Sequence, residues 1–401
     1  MATTAAAPVP SLSFSERYLA PYRRVTSSGQ FIPEIDGFRF IAIFFVFIYH
    51  LAGDVLRNSP PDYVAALPPN PLFAVTQVLD IGVPIFFVIS GFILGMPFAV
   101  AHLRQQRPVP LKKYFLRRVT RLEPPYILSL LLFFVLKIAW AKGSAASIFP
   151  NLLASLFYAH NIIYRTPSAI NFVAWSLEIE IQFYILAPLI ALLFAVRRPY
   201  LRRLMLGALI LVATGIGSLA SEAGSARLSI LGYGQFFLAG FLLVELYIAG
   251  GERWRRNPRW DLVSLAGWPV LLGSLVLGGP VTYWVLPWII ALLTIAGYHG
   301  VVMNRFVGNL WIATAGGMCY TIYLLHNYIV AGLGAHTERF LHGYPFDIRL
   351  LVQLLLIAPV VLLVSALYFR FIERPCMDQA WPRKLARTIA GFSSAEGLVA
   401  R

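Results

Sequence analysis

One apolar segment carries an arginine and a histidine at a spacing that could do chemistry. In EIDGFRFIAIFFVFIYH, residues 34–50, Arg39 and His50 are eleven positions apart. In an α-helix that spacing puts both on one face, about 16 Å apart along the axis, with Asp36 within about 60° of both. Histidine can take a proton from a hydroxyl near neutral pH, and a guanidinium group binds phosphate. The segment predicts a helix face that holds an extended substrate at one end and reacts at the other. The alternative is that both side chains only reach the two membrane surfaces.

A second group of basic residues precedes another apolar segment, in KKYFLRRVTRLEPPY at 112–126. Arg117 and Arg121 are four apart and Arg118 and Arg121 three apart, so on a helix these side chains can converge. A cluster of guanidinium groups suits multidentate binding of phosphate. Anchoring of the segment at a membrane surface is the alternative, and it explains the neighbouring lysines well.

Two glutamates lie in WSLEIEIQFYILAP, residues 175–188. Because Glu178 and Glu180 are two positions apart, they point about 160° away from each other on a helix. Only one of them can therefore face a shared site. Glu180 aligns with Tyr184, four positions later. Ionisable groups inside an apolar span are costly and are usually functional or paired.

Further candidates for substrate contact or structure are Ser90, Trp175, Tyr184, Tyr323 and His326. Ser90 could be a nucleophile, but no G-x-S-x-G pattern surrounds it, and its neighbour Gly91 favours close helix packing. Tyr323 and His326 are three apart and share a helix face. A single histidine in a span is more often a packing residue than a functional one. The two cysteines form no CxxC or His/Cys cluster, so no metal site is expected.

These residues sit on a chain that is 58% hydrophobic and only 13% charged, with a mean hydropathy of +0.70. A soluble domain carries about 25% charge, whereas apolar runs of about 20 residues cross a bilayer. We expect an all-α, polytopic transmembrane bundle. The ten predicted spans lie near 36–56, 74–100, 119–140, 174–196, 204–220, 228–249, 261–279, 282–298, 309–333 and 350–372. The apolar stretch 147–159 is short and predicts an interfacial or re-entrant helix.

The net charge of +15 is distributed in short runs between the spans, which argues against nucleic-acid binding. With the predicted spans, 25 Lys and Arg fall on one side of the membrane and seven on the other. The positive-inside rule then predicts that both termini are cytoplasmic. We expect a flexible segment at 1–34, a transmembrane domain at 35–375 and a basic tail at 376–401. The expected location is the bacterial inner membrane.

Taken together in order, these motifs resemble acyltransferase family 3 of membrane proteins. The resemblance rests on the D-G-x-R…H segment at 36–50 and on five shorter motifs. Those are FFVISGF at 86–92, RRVTRLEPPY at 117–126, WSLEIEIQFY at 175–184, YTIYLLH at 320–326 and ERP at 373–375. The chain departs from the family pattern at Pro84 and Ile181, where acidic residues are usual.

The resemblance implies that an acyl group, commonly acetyl from acetyl-CoA, is transferred to a hydroxyl of an extracytoplasmic acceptor. A polysaccharide, a lipid-linked sugar and a small molecule are all possible acceptors. It implies that Arg39 and His50 are essential, that Arg117, Arg118 and Arg121 serve the donor side, and that Glu180 is the family's fourth-span glutamate. Direct transfer and a transient acyl-histidine both remain open. A transporter or flippase, with polar residues lining a path, is the main alternative, and a scaffold for envelope assembly is a third.

Overall fold

A computed structural model of the chain describes residues 14–25, 32–65, 67, 70–141, 144–224, 226–250, 256–378 and 380–384. Every regular element in these ranges is helical, which confirms the all-α prediction. In chain order the α-helices are α1 (Phe14–Leu19), α2 (Pro33–Arg57), α3 (Pro61–Ala65), α4 (Pro71–Thr76), α5 (Gly82–Leu103), α6 (Leu111–Ala141), α7 (Ala145–Leu156), α8 (His160–Tyr164), α9 (Trp175–Ile190), α10 (Pro199–Ala223), α11 (Ile230–Gly250), α12 (Arg259–Leu277), α13 (Pro280–His299), α14 (Val302–Val307), α15 (Leu310–Gly317), α16 (Cys319–Thr337), α17 (Phe346–Tyr368) and α18 (Arg374–Cys376).

Short 3₁₀ turns and one π-helical turn complete the helical segments. The 3₁₀ turns are Ala20–Tyr22, Leu79–Ile81, Phe172–Ala174, Ala191–Ala195 and Glu338–Phe340. The π-helical turn, Phe369–Glu373, joins α17 to α18. Such turns occur often at functional sites because they re-aim side chains at a helix end.

Within the described residues, nine helical segments are long and apolar enough to cross a membrane. They are Pro33–Arg57, Pro71–Leu103, Leu111–Trp140, Phe172–Ala195, Pro199–Glu222, Ile230–Gly250, Arg259–Leu277, Pro280–His299 and Phe346–Cys376. Each overlaps one of the ten predicted spans. The remaining prediction, 309–333, differs from the structure because this segment is two helices, α15 and α16, that meet at Met318.

Just before the break at Met318, α15 packs closely against α2. A Cβ atom on Gly316 would lie 1.7 Å from the backbone oxygen of Asp36, so only glycine allows this approach. At the other end of α15, the Asn309 side chain accepts hydrogen bonds from the backbone N–H groups of Trp311 and Ile312, a normal N-cap. Helix α15 ends at Gly317, and a separate helix, α16, begins at Cys319 beside α2.

The centre of the bundle is a close contact between α5 and α11. A Cβ atom on Gly91 would lie 2.1 Å from the backbone oxygen of Phe237, and one on Gly240 would lie 2.2 Å from that of Val88. Phe183 of α9 stacks on Phe237 with ring centroids 4.2 Å apart. Small residues at the crossing let the two backbones meet, and this contact fixes where α9 packs.

The apolar stretch predicted to be interfacial or re-entrant forms α7, a helix of 12 residues. It packs against α6, where the Tyr126 hydroxyl donates a hydrogen bond of 2.9 Å to the backbone oxygen of Ser155. At about 1.5 Å per residue, a helix of this length is too short to cross a hydrocarbon core of about 30 Å.

Of the segment expected to be flexible, 1–34, the structure describes only part before α2. Its described part, residues 14–25, packs against the bundle: Tyr18 lies 6.0 Å from Trp311 between ring centroids, and Arg374 donates to the backbone oxygens of Ala20 and Arg23. Hydrogen bonding to a helix end holds this part in place. Residues 1–13, 26–31 and 385–401, which include most of the expected basic tail, lie outside the described residues.

Candidate active site

Two histidines from distant parts of the chain meet between α2 and α16. His50 Nδ1 lies 2.9 Å from His326 Nε2. The other ring nitrogen of His326, Nδ1, lies 2.9 Å from the backbone oxygens of both Ile322 and Tyr323. A backbone oxygen can only accept, so Nδ1 of His326 carries a proton and its Nε2 is an acceptor. His50 must then donate from Nδ1.

This arrangement determines the tautomer of His50. With the proton on Nδ1, the lone pair of His50 is on Nε2, the atom that can accept a proton or attack a carbonyl. His326 is fully buried, whereas His50 is partly exposed. The ring of Phe172 packs edge-on against His50, with centroids 6.3 Å apart. His326 therefore holds the ring of His50, and Nε2 of His50 is the ring nitrogen of the pair that lies outside these hydrogen bonds.

The opposite end of the same α2 face carries a buried ion cluster. Arg39 Nη1 donates to Asp36 Oδ1 over 3.0 Å, and Arg24 Nη2 lies 3.4 Å from the same oxygen. Asp36 is fully buried. Sequence reasoning singled out Asp36 and Arg39 but missed Arg24, which lies in the polar segment expected to be flexible.

Glu373 joins this cluster from the π-helical turn after α17. Its Oε2 accepts a hydrogen bond of 2.5 Å from the Thr321 hydroxyl, and its charge interacts with those of Arg121, Arg39 and Arg24. Glu373 belongs to the ERP motif at 373–375, and its complete burial makes it a member of the cluster.

Three guanidinium groups, from Arg24, Arg39 and Arg121, thus lie with the carboxylates of Asp36 and Glu373, and a third carboxylate, Glu180, acts on Arg39. Because Glu180 also faces Arg118, four guanidinium groups share three carboxylates. Burial and the neighbouring charges of Arg39 and Arg121 lower the pKa of Arg24 to about 9, with Asp36 opposing the shift. The Nε atoms of Arg24 and Arg121 are buried without a hydrogen-bond partner. Unpaired buried donors beside excess positive charge are well suited to an anion. A phosphate group would supply both the acceptors and the missing negative charge.

Of the other two arginines of α6, Arg118 does not face that cluster. The guanidinium of Arg118 donates to the backbone oxygen of Tyr114 over 2.7 Å and lies over the Tyr114 ring, 3.6 Å from its centroid. It also lies 5.3 Å from the centroid of the Tyr184 ring. Arg117 is half-buried on the same helix. Arg118 therefore faces α9, whereas Arg121 faces the cluster at the start of α2.

Glu180 links α5 to α9 on the side that Arg118 faces. Its Oε1 accepts from the Ser90 hydroxyl over 2.7 Å and from the Tyr184 hydroxyl over 2.8 Å. Its charge interacts with those of Arg39 and Arg118. Glu178 points elsewhere, as the 160° separation predicts, and accepts from the backbone N–H of Asn161 at α8. Ser90 is a hydrogen-bond donor to Glu180 in this arrangement.

The two remaining candidates lie beside the histidine pair. The Tyr323 and Ser176 hydroxyls are 2.6 Å apart, and the Tyr323 ring lies 5.9 Å from that of His326 between centroids. Trp175 packs against Tyr233, with ring centroids 5.3 Å apart. The start of α9 is thereby joined to both α16 and α11 next to His50.

Comparison with known proteins adds to this geometry. Residues 32–370 match the family described as an acyltransferase domain. The chain is 23% identical over 377 residues to the O-acetyltransferase OatA of Staphylococcus aureus strain NCTC 8325 / PS 47, covering 87% of this chain and 57% of that protein. A putative O-acetyltransferase of Staphylococcus aureus strain COL is 23% identical over 376 residues, covering 86% and 57% respectively. The chain thus spans little more than half the length of these relatives. No solved structure matches it significantly.

Proposed function

Since the chain belongs to this acyltransferase family, we propose that it is a membrane O-acyltransferase that uses acyl-CoA. The donor is acetyl-CoA, and the acceptor is a hydroxyl of an extracytoplasmic carbohydrate or a related molecule. The observation that carries the proposal is the pairing of His50 with His326, which leaves the lone pair of His50 on Nε2. The O-acetyltransferase names of the relatives support an acetyl donor.

The donor's phosphates bind at the cluster of Arg24, Arg39 and Arg121. CoA carries phosphates that need several donors, and this cluster has buried N–H groups without partners. Arg117 and Arg118 lie on the same helix as Arg121 and extend the positive surface. Arg39 is held in place by Asp36, so it is pre-oriented for the donor. Pre-orientation lowers the entropy cost of binding.

The thioester reaches His50 along the α2 face. Eleven residues of α-helix separate Arg39 from His50, a rise of about 16 Å, and both lie in one continuous helix. An extended pantetheine arm, bound at its phosphate end, can follow this face. Glu180 interacts with the charge of Arg39 from the α9 side, and it is itself fixed by Ser90 and Tyr184. Glu180 therefore holds the charges along the path in position.

Two routes use Nε2 of His50. In direct transfer, Nε2 removes the proton of the acceptor hydroxyl, the oxygen forms the ester bond to the thioester carbon, and the CoA sulfur leaves and takes up the proton. In the covalent route, Nε2 attacks the thioester carbon and the CoA sulfur leaves as a thiolate. The acceptor oxygen then displaces the imidazole from the acyl carbon, and the proton that the hydroxyl loses balances the one taken up by the thiolate. Incubation with radiolabelled acetyl-CoA without acceptor separates them, because only the second labels the peptide that contains His50.

In this proposal the protein lies in the bacterial inner membrane with both termini cytoplasmic. The Arg39 end of α2 then faces the compartment of acyl-CoA, and the His50 end faces the acceptor. The excess of basic residues on one side of the ten predicted spans supports this orientation. Both termini lie on one side only if α16, a helix of 19 residues, crosses as a tenth span beside the nine apolar helices of the described residues. A transporter would need no acyl donor, and the family match favours the enzyme.

The test is acetyl transfer by membranes that contain the His50→Ala protein at matched expression. We expect activity to fall about 10²-fold or more, the contribution of a general base. His102→Ala is the control, since His102 is exposed at the end of α5. Activity of His50→Ala near that of the wild type would overturn the proposal. So would transport of a solute by protein that binds no CoA.

A further inference from the structure

Two aromatic side chains, Tyr49 and Phe172, pack against His50, and further aromatic and charged side chains continue from them through ring contacts and charge interactions. We refer to this group as the mouth, formed by Tyr49, Asp80, Phe172, Trp175, Arg227 and Tyr233. These residues come from the end of α2, the turn before α5, the start of α9 and the chain before and within α11. None of them is buried, so the mouth is open beside the histidine pair.

The aromatic members of the mouth include two rings that contact His50. Phe172 is 49% exposed and packs edge-on against His50. Tyr49 also meets His50 edge-on, with ring centroids 5.4 Å apart. Trp175 and Tyr233 lie together on the α9 and α11 side, inclined at 45°. Exposed aromatic rings of this kind give flat apolar surfaces on which a ligand can stack.

The charged members of the mouth neutralise one another. Asp80 and Arg227 are both exposed, and their charges interact. Arg227 also makes a side-chain hydrogen bond with Tyr233, and both charges act on Tyr49. The mouth therefore offers a carboxylate acceptor and guanidinium donors with no excess of either charge.

We propose that the mouth is a binding site for the uncharged pyranose ring of the acceptor, placed so that a ring hydroxyl reaches Nε2 of His50. A pyranose has apolar C–H faces and a rim of hydroxyls that both donate and accept. Trp175 and Tyr233 provide a surface for the C–H face, while Asp80 and Arg227 bind the rim. This assignment rests on the proposed function and adds to it the residues that select the acceptor.

The charge balance distinguishes this ligand class from two others. A phosphate or carboxylate ligand would require surplus positive charge, which this protein has at the Arg39 end of α2. An acyl chain would gain nothing from exposed Asp80 and Arg227, because polar groups left without partners in an apolar contact are costly. A ligand that is apolar on its faces and polar around its edge matches both features of the mouth.

The test measures binding of the full chain in nanodiscs to an array of neutral and acidic oligosaccharides. We expect neutral sugars to bind. Asp80→Asn should weaken that binding about 10-fold through loss of a charge-assisted hydrogen bond, and Trp175→Ala should weaken it about 10-fold through loss of the stacking surface. Trp175→Phe should retain most of the affinity. Trp140→Ala and Arg165→Gln are the controls, because both side chains are exposed outside the mouth and should leave binding unchanged.

Two outcomes would overturn the proposal. The first is that the protein binds only acidic sugars, or no sugar at all. The second is that the wild type and Asp80→Asn bind neutral sugars with equal affinity. Asp80→Asn is nearly isosteric, so the test stands even if Trp175→Ala does not fold. Acetyl-CoA binding is measured on the same nanodiscs. Loss of sugar selectivity with intact acetyl-CoA binding refutes the mouth alone, whereas sugar binding without acetyl-CoA binding refutes the proposed function.

Discussion

His50 and His326 are 276 positions apart in the chain, yet their ring nitrogens lie 2.9 Å from each other. The pairing depends on the break at Met318, because α16 begins there and runs beside α2. The backbone oxygens that hold Nδ1 of His326 belong to the preceding turn of its own helix. One helix thus presets the protonation of a residue on another.

Removing His326 should impair catalysis without weakening donor binding. We expect His326→Ala to lower kcat about 10²-fold, because His50 loses the acceptor that keeps its proton on Nδ1. His326→Gln, which retains an acceptor oxygen, should recover part of the rate. Steady-state kinetics with acetyl-CoA would measure both, with KM for the donor unchanged.

Leu325→Ala is the matched control for the space left by His326→Ala, since Leu325 is also buried on α16. It should lower stability but keep kcat per folded molecule. Equal losses of kcat in the two variants would mean that His326 acts only by packing.

Arg24 should contribute to donor affinity although it lies outside the spans. We expect Arg24→Gln to raise the Kd for CoA between about 10-fold and about 150-fold, since a hydrogen bond to a charged group contributes about 1.5–3 kcal/mol. Titration calorimetry with CoA would measure this change, which should shrink at high salt. Arg17→Gln, at an exposed position of α1, is the control, and an unchanged Kd for Arg24→Gln would remove Arg24 from the donor site.

Glu373 should stabilise the fold by balancing the buried arginines. We expect Glu373→Gln to destabilise the protein by about 3 kcal/mol, because it leaves buried positive charge uncompensated. CoA should raise the unfolding midpoint of this variant more than that of the wild type, since its phosphates replace the missing charge. Thermal unfolding with and without CoA would measure both effects.

The control for Glu373→Gln is a second buried ion pair far from the cluster. Arg349 Nη2 lies 2.6 Å from Glu338 Oε2, and both residues are fully buried. Glu338→Gln should also lower the unfolding midpoint, but CoA should not selectively restore it. If CoA restored both variants equally, the cluster would have no special relation to the donor.

Gly91 should be intolerant of any side chain. We expect Gly91→Ala to prevent close packing of α5 on α11, because the added Cβ would lie 2.1 Å from a backbone oxygen. Overpacking typically costs about 1–3 kcal/mol, and backbone contacts relax poorly. Gly332→Ala is the control, since nothing lies within 4 Å of a Cβ there. Folded yield and melting midpoint in detergent would distinguish the two variants. Equal values for both would contradict the close packing of α5 on α11.

Much of the fold was predictable from local pattern. Nine of the ten predicted spans correspond to apolar helices of sufficient length in the described residues. The predicted span at 309–333 is instead two helices, and beside the break Gly316 meets Asp36 of another helix. Hydropathy carries no information about such a close contact between two helices. The same limit explains why Arg24 was missed: its partner, Asp36, is twelve positions away and lies on α2, whereas Arg24 precedes that helix.

By itself, the sequence determined that this chain is a helical membrane protein and that Arg39 and His50 share one helix face. Both conclusions follow from short-range rules: apolar length against bilayer thickness and 3.6 residues per turn. Only the tertiary structure decided that His326 orients His50, that Glu373 balances the arginine cluster and that Glu180 is held by Ser90. These pairings join residues far apart in the chain, and they depend on which helix faces pack together.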